Sequence, residues 1–189
     1  MNYNITYLEA CILKFFNKIF LLFYFLSETN INNHKELSKI ACQQNNFEII
    51  DILHKLNYNF EYLFNNNCKA INVAAANNST ECINKLINYG CNINNIDNDG
   101  HSPIFDAALY GNLDCLQILY EKGGDMLKKD SYNNCPIEVA AINGHLQILK
   151  FYNDKGFDLS KKRGNNTPLH FALKFKHKDC INYLKQFYK

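Results

Sequence analysis

The sequence predicts an all-α solenoid of stacked helical hairpins, on three observations. The first is a recurrent small pair: Ala41-Cys42, Ala74-Ala75, Ala107-Ala108 and Ala140-Ala141 are spaced by 33 residues, and Ala172-Leu173 follows after 32. The second is that other columns hold the same register. They are Ile49, Cys82, Cys115, Ile148 and Cys180; Leu53, Leu86, Leu119, Tyr152 and Leu184; and Asn57, Gly90, Gly123 and Gly156. The third is that each period contains start and stop signals for two short helices. A period of this length held over five copies is the mark of a repeat architecture.

Within a period the elements follow from local chemistry. Ser102-Pro103 and Thr167-Pro168 place a hydroxyl at an N-cap and a proline at the first helical position, while Cys135-Pro136 keeps the proline without the strong cap. About eight residues on, Gly111-Asn112 or Gly144-His145 breaks the chain between the helices. The second helix carries its apolar stripe at helical spacing, as in Cys115, Leu116 and Leu119 or Ile148, Leu149 and Tyr152. It stops at Gly123 or Gly156, where a left-handed residue costs little, and Asn57 is the next best residue for that place. Helices this short are marginal alone. Their stability must come from stacking, and the alanine pairs let neighbouring helices approach closely.

Along the chain, residues 1–30 hold the apolar run Ile19–Leu26, too short and too interrupted by Lys14 and Lys18 to span a bilayer. They are expected to form an apolar N-terminal helix or a degenerate capping repeat. Membrane anchoring through residues 8–26 is the alternative. Repeats follow at about 31–63, 64–96, 97–129, 130–161 and 162–189. The first two lack the proline, with Leu37 and Ala70 in its column. The loop at 160–164 is one residue short, which predicts a different shape there. The Lys-rich last helix suits a solvated end.

The segment Asp97–Asp125 (DNDGHSPIFDAALYGNLDCLQILYEKGGD) and the run Asn166–Leu173 (NTPLHFAL) resemble the ankyrin repeat. The resemblance covers about 31–189. It implies an ankyrin-type helical-hairpin solenoid with short β-hairpin or loop fingers, and a partner protein bound by the finger tips and the exposed face of each first helix. By column, the tip residues are Asn98, Asp99 and His101; Ser131, Tyr132 and Asn134; and Arg163, Gly164 and Asn166. The helix-face residues are Leu109, Tyr110, Ile142, Asn143, Lys174 and Phe175, where an exposed apolar patch would mark an interface. Asn94 falls in the loop column where ankyrin proteins can be hydroxylated.

Composition narrows the function. The 22.0 kDa chain of 189 residues is 47% hydrophobic and 20% charged, so it can fold, and its net charge of +2 points away from nucleic acid. About 30 Asn accompany abundant Lys, Ile, Phe and Tyr, which reads as a compositional bias. The charge is uneven: residues 1–119 hold 7 basic and 11 acidic residues, and residues 120–189 hold 13 and 7. Lys128-Lys129 and Lys161-Lys162, with Arg163 beside them, should stack as a basic stripe that suits an acidic partner segment. The eight cysteines lack a CxxC pair and fit a reducing compartment, the cytoplasm being expected. Cys42, Cys82, Cys115 and Cys180 read as core; Cys68, Cys91 and Cys135 read as the more reactive thiols. No metal-binding, nucleotide-binding or catalytic pattern appears. The expectation is a monomeric, non-catalytic module without cofactor or metal.

Overall fold

In the computed structural model, which describes residues 31–188, the 33-residue period becomes five pairs of helices. They are α1 (Ile31–Gln43) with α2 (Phe47–Lys55), α3 (Ala70–Ala76) with α4 (Thr80–Asn88), and α5 (Pro103–Tyr110) with α6 (Leu113–Glu121). Then come α7 (Pro136–Ile142) with α8 (Leu146–Asp154), and α9 (Pro168–Phe175) with α10 (Lys178–Lys185). The described residues contain no strand. Residues Lys35–Lys189 form one compact part. The expected helix or cap at residues 1–30 lies outside the described residues.

Three first helices begin where proline dictates. Ser102 Oγ accepts from Phe105 N at 3.3 Å, and Thr167 Oγ1 accepts from His170 N at 3.2 Å. At Cys135 the missing cap is replaced from inside the helix, because the buried Glu138 carboxylate accepts the Cys135 N–H at 2.9 Å. Where Leu37 stands in the proline column, nothing denies the helix its upstream hydrogen bonds. So α1 runs back to Ile31 and occupies the stretch that forms a finger in later repeats. The stop column behaves as expected: Asn57, Gly90, Gly123 and Gly156 all have positive φ.

The first helices pack in a row, α3 on α5, α5 on α7 and α7 on α9. The second helices pack behind them, α2 on α4, α4 on α6 and α8 on α10. Ala74, Ala75, Ala107, Ala108, Ala140 and Ala141 are completely buried, so the small-residue column forms the seam of the first-helix row. The stripes Cys82, Ile83 and Leu86; Cys115, Leu116 and Leu119; and Ile148, Leu149 and Tyr152 are equally buried. Tyr152 keeps its hydroxyl satisfied by donating to the Met126 carbonyl at 2.9 Å.

Polar side chains clamp each repeat to the one before. Ser79, Asn112, His145 and His177 share the column that opens the second helix. They donate to the carbonyls of Cys42, Ala75, Leu109 and Ile142, the last three at 2.8, 2.9 and 2.7 Å. These carbonyls sit at the ends of first helices, where intrahelical donors have run out. The histidines thus have the structural hydrogen-bonding role expected of repeat positions.

Candidate partner-binding surface

The fingers of repeats three and four are built on aspartate. Asp97 Oδ1 accepts from Asp99 N at 2.9 Å and His101 N at 2.8 Å, while Asp97 N donates to the His101 carbonyl at 3.1 Å. Asp130 repeats this with Tyr132 N at 2.9 Å, Asn134 N at 2.7 Å and the Asn134 carbonyl at 3.0 Å. Each finger is therefore a closed turn rather than a pair of strands. Fingers also join one another. Asn98 N donates to Asn66 O at 3.0 Å, Ser131 N to Asp99 O at 2.8 Å, and Asn165 Nδ2 to Tyr132 O at 2.6 Å.

The shortened fifth finger does differ. No aspartate stands at its base, and Gly164 N instead donates to Glu138 Oε1 at 2.8 Å. A Cβ on Gly164 would lie 2.1 Å from the Asn133 carbonyl oxygen, so only glycine fits that approach. Arg163 folds back, its guanidinium donating to the Asp158 carbonyl at 2.6 Å.

The predicted contact residues sort by exposure. Tyr132 (71% exposed), Tyr110 (58%) and Phe175 (46%) project into solvent, and Asn98, Ser131, Asn143 and Lys174 are exposed with them. Asp99, Leu109, Asn134, Ile142 and Arg163 are half-buried. His101 turns inward: its ring stacks on Phe105 at 4.3 Å between centroids, with Nδ1 3.7 Å from Asp106 Oδ1. Leu173, in the column that is buried in earlier repeats, is 50% exposed on α9. Lys128, Lys129, Lys161 and Lys162 are all exposed, and none forms an ion pair among the described residues. Lys129 reaches only Asn133 Oδ1, at 3.0 Å.

The thiols correct one expectation. Cys91 and Cys135 are buried, and Cys68 is half-buried. Burial pushes Cys68 and Cys91 up to about 12, with nearby carboxylates adding to it, and Cys135 up to about 11. A thiol that resists ionisation is a poor nucleophile. Proximity to a loop in sequence did not mean access to solvent.

Asn94 is exposed, yet its side chain already links repeats: Oδ1 accepts from Asp125 N at 2.7 Å and Nδ2 donates to Gly123 O at 3.4 Å. One column was missed in the sequence: Asn59, Asn92, Asp125 and Asp158 each accept the N–H two residues on, at 2.9 to 3.0 Å. Its signal was present as an Asn or Asp every 33 residues. A groove of about 260 Å³ beside Tyr58, Phe60 and Tyr89 was also unforeseen. Two of its polar side chains are committed elsewhere, Glu61 to Lys69 and Tyr89 to Asp51. No helix among the described residues is long and apolar enough to cross a membrane, and residues 8–26 lie outside them.

Comparison with known proteins agrees with this geometry. A family model described as ankyrin repeats in three copies matches residues 38–130, and one described as ankyrin repeats in many copies matches residues 137–184. No curated protein matches the chain. Among solved structures, the crystal structure of the human ASB11 ankyrin repeat domain superposes with a TM-score of 0.72 at 20% identity, covering 80% of this chain and 68% of that one. Repeat register, alanine seam and family models agree, and the chain belongs to the ankyrin repeat family.

Proposed function

We propose that this protein is a non-catalytic adaptor or regulator that holds a partner protein along its finger tips and first-helix ends. The family is generally a protein–protein interaction module, and the exposed Tyr110, Tyr132 and Phe175 are of the type that anchors interfaces. The partner offers an acidic segment to the C-terminal repeats. The observation that carries this is four exposed lysines on consecutive loops, unpaired among the described residues. Their charges on consecutive loops raise the local positive potential, which Asp158 beside Lys161 and Arg163 offsets in part. Arg163 contributes less, since its guanidinium is held by its own loop.

The test is capture of a polyglutamate peptide, and then of cell-lysate partners, by the intact chain and by a variant with Lys128, Lys129, Lys161, Lys162 and Arg163 changed to Gln. Exposed pairs are worth about 0.2–1 kcal/mol each, so the combined change should weaken binding about tenfold or more and flatten its salt dependence. Equal capture by both chains at low and high salt would dispose of the acidic-segment reading.

A further inference from the structure

Repeats two and three share a buried polar cluster that the periodic pattern does not call for. Asp106 lies on α5 in the column filled by Val73, Val139 and Phe171 elsewhere, and it is buried there. Its Oδ2 accepts from Asn72 Nδ2 at 2.8 Å. Asn72 in turn accepts from Asn95 Nδ2 at 2.6 Å and donates to the His101 carbonyl at 3.3 Å. The His101 ring, pressed against Phe105, brings Nδ1 within 3.7 Å of Asp106 Oδ1 and 3.9 Å of Asp97 Oδ2. Asn95 Oδ1, also buried, finds no donor among the described residues. The cluster is rich in acceptors and short of hydrogens.

We propose that Asn72, His101 and Asp106 form a proton-operated latch: a proton on Asp106 keeps the Asp97–His101 finger seated on repeat two, and its loss frees the finger. The geometry gives the reason. A neutral carboxyl can accept from Asn72 and still present an O–H towards the imidazole, whereas a bare carboxylate leaves a buried charge with one firm donor. Apart from the His101 imidazole, the surrounding groups offer it no opposite charge. Asp97 and Cys68 are the other ionisable neighbours, and both are acidic. Helix α3 carries no ionisable side chain. On α7, Glu138 is engaged by Cys135 and Gly164; on α6, Asp114 meets Asn78.

Burial pushes the Asp106 carboxyl up to about 7, opposed by the Asn72 hydrogen bond and aided by Asp97. The folded value thus lies above the unfolded one of about 4. For an acid shifted this way the latch is strongest below about pH 4, weakens as pH rises towards 7, and changes no further above it. Asn98 and Asp99 ride on this finger, so the shape of the tip would follow the proton whatever partner it meets.

The test is amide hydrogen exchange on the full chain between pH 5 and pH 8, comparing wild type with D106N, whose side chain copies the neutral carboxyl and does not titrate. The reporters are the amides of Asp99, His101 and Ser131, all bonded within or onto the finger. After correction for intrinsic rates, wild type should open up to about tenfold more for each pH unit between about 5 and 7, and D106N should stay flat. Parallel profiles would overturn the latch. Carbon-13 titration of the Asp106 carboxyl in wild type is independent of how the variant folds. A midpoint above about 6 supports the proposal, and one below it overturns it.

Discussion

Two residues that never adjoin in sequence choose each other across the repeats. The residue that closes each of the first four first helices has positive φ, and it is Asn45, Asn78, Gly111 and Gly144 in turn; Lys176 does the same after the fifth. Opposite the first four stand Ser79, Asn112, His145 and His177. Where the partner is small, Asn is allowed, and its Oδ1 accepts the N–H of Cys82 or Cys115 at 3.3 or 3.4 Å. Where the partner is histidine, a Cβ would lie 2.6 or 2.5 Å from the imidazole, so only glycine fits. Gly111→Ala should therefore cost more than Gly123→Ala, whose Cβ would meet nothing. The left-handed backbone alone accounts for about 1–2 kcal/mol in both, and overpacking adds about 1–3 kcal/mol at Gly111. Urea denaturation measures the difference. Replacing His145 by Ser in the Gly111→Ala background should recover the packing part, so that the double change costs less than the sum of the two single ones. The break at Gly111-Asn112 was legible in the sequence. The pairing was not, because it requires knowing that the histidine reaches back over the preceding repeat.

At the scale of the element, a first helix and its finger behave as one unit, and Glu138 shows how. Ile137-Glu138 stands where the run Asn166–Leu173 has Leu169-His170, a departure with no evident purpose in one dimension. In three dimensions the carboxylate caps its own helix through Cys135 N and fastens the next finger through Gly164 N. Asn72 fills the same column two repeats earlier, within the latch, whereas Phe105 between them has no such capacity and stacks on His101. Glu138→Ala leaves two N–H groups without their partner, each worth about 1–3 kcal/mol when buried. The expected result is a stability loss of about 2–4 kcal/mol in thermal melts, with amide protection falling first at residues 160–166. Protection lost evenly over all five repeats would show that Glu138 supports the stack rather than the finger.

At the scale of the whole molecule, stability is a chain of neighbour contacts, since no helix among the described residues is long enough to persist alone. The seam at Ala107 touches repeats on both sides through α3 and α7. Ala107→Leu should force the row apart at a cost of about 1–3 kcal/mol. It should also split a single urea transition into two, as the repeats on either side of repeat three lose their coupling through it. A single transition of unchanged midpoint would mean that the seam tolerates bulk.

What the sequence determined by itself was the periodic part: five repeats, their helix starts and stops, the buried stripes and the alanine seam. All of these arise from interactions within a few residues, or from a spacing that recurs and so can be counted. Tertiary structure alone decided which polar groups lost access to water. Asp106 and Glu138 look alike as surface acids in the sequence, yet each is buried and bonded across repeats. Cys91 and Cys135 sit beside loops but lie under them. Arg163 belongs to a basic cluster on paper, yet its guanidinium is held by carbonyls of its own loop. Desolvation is set by atoms dozens of residues away, and no local pattern carries that distance.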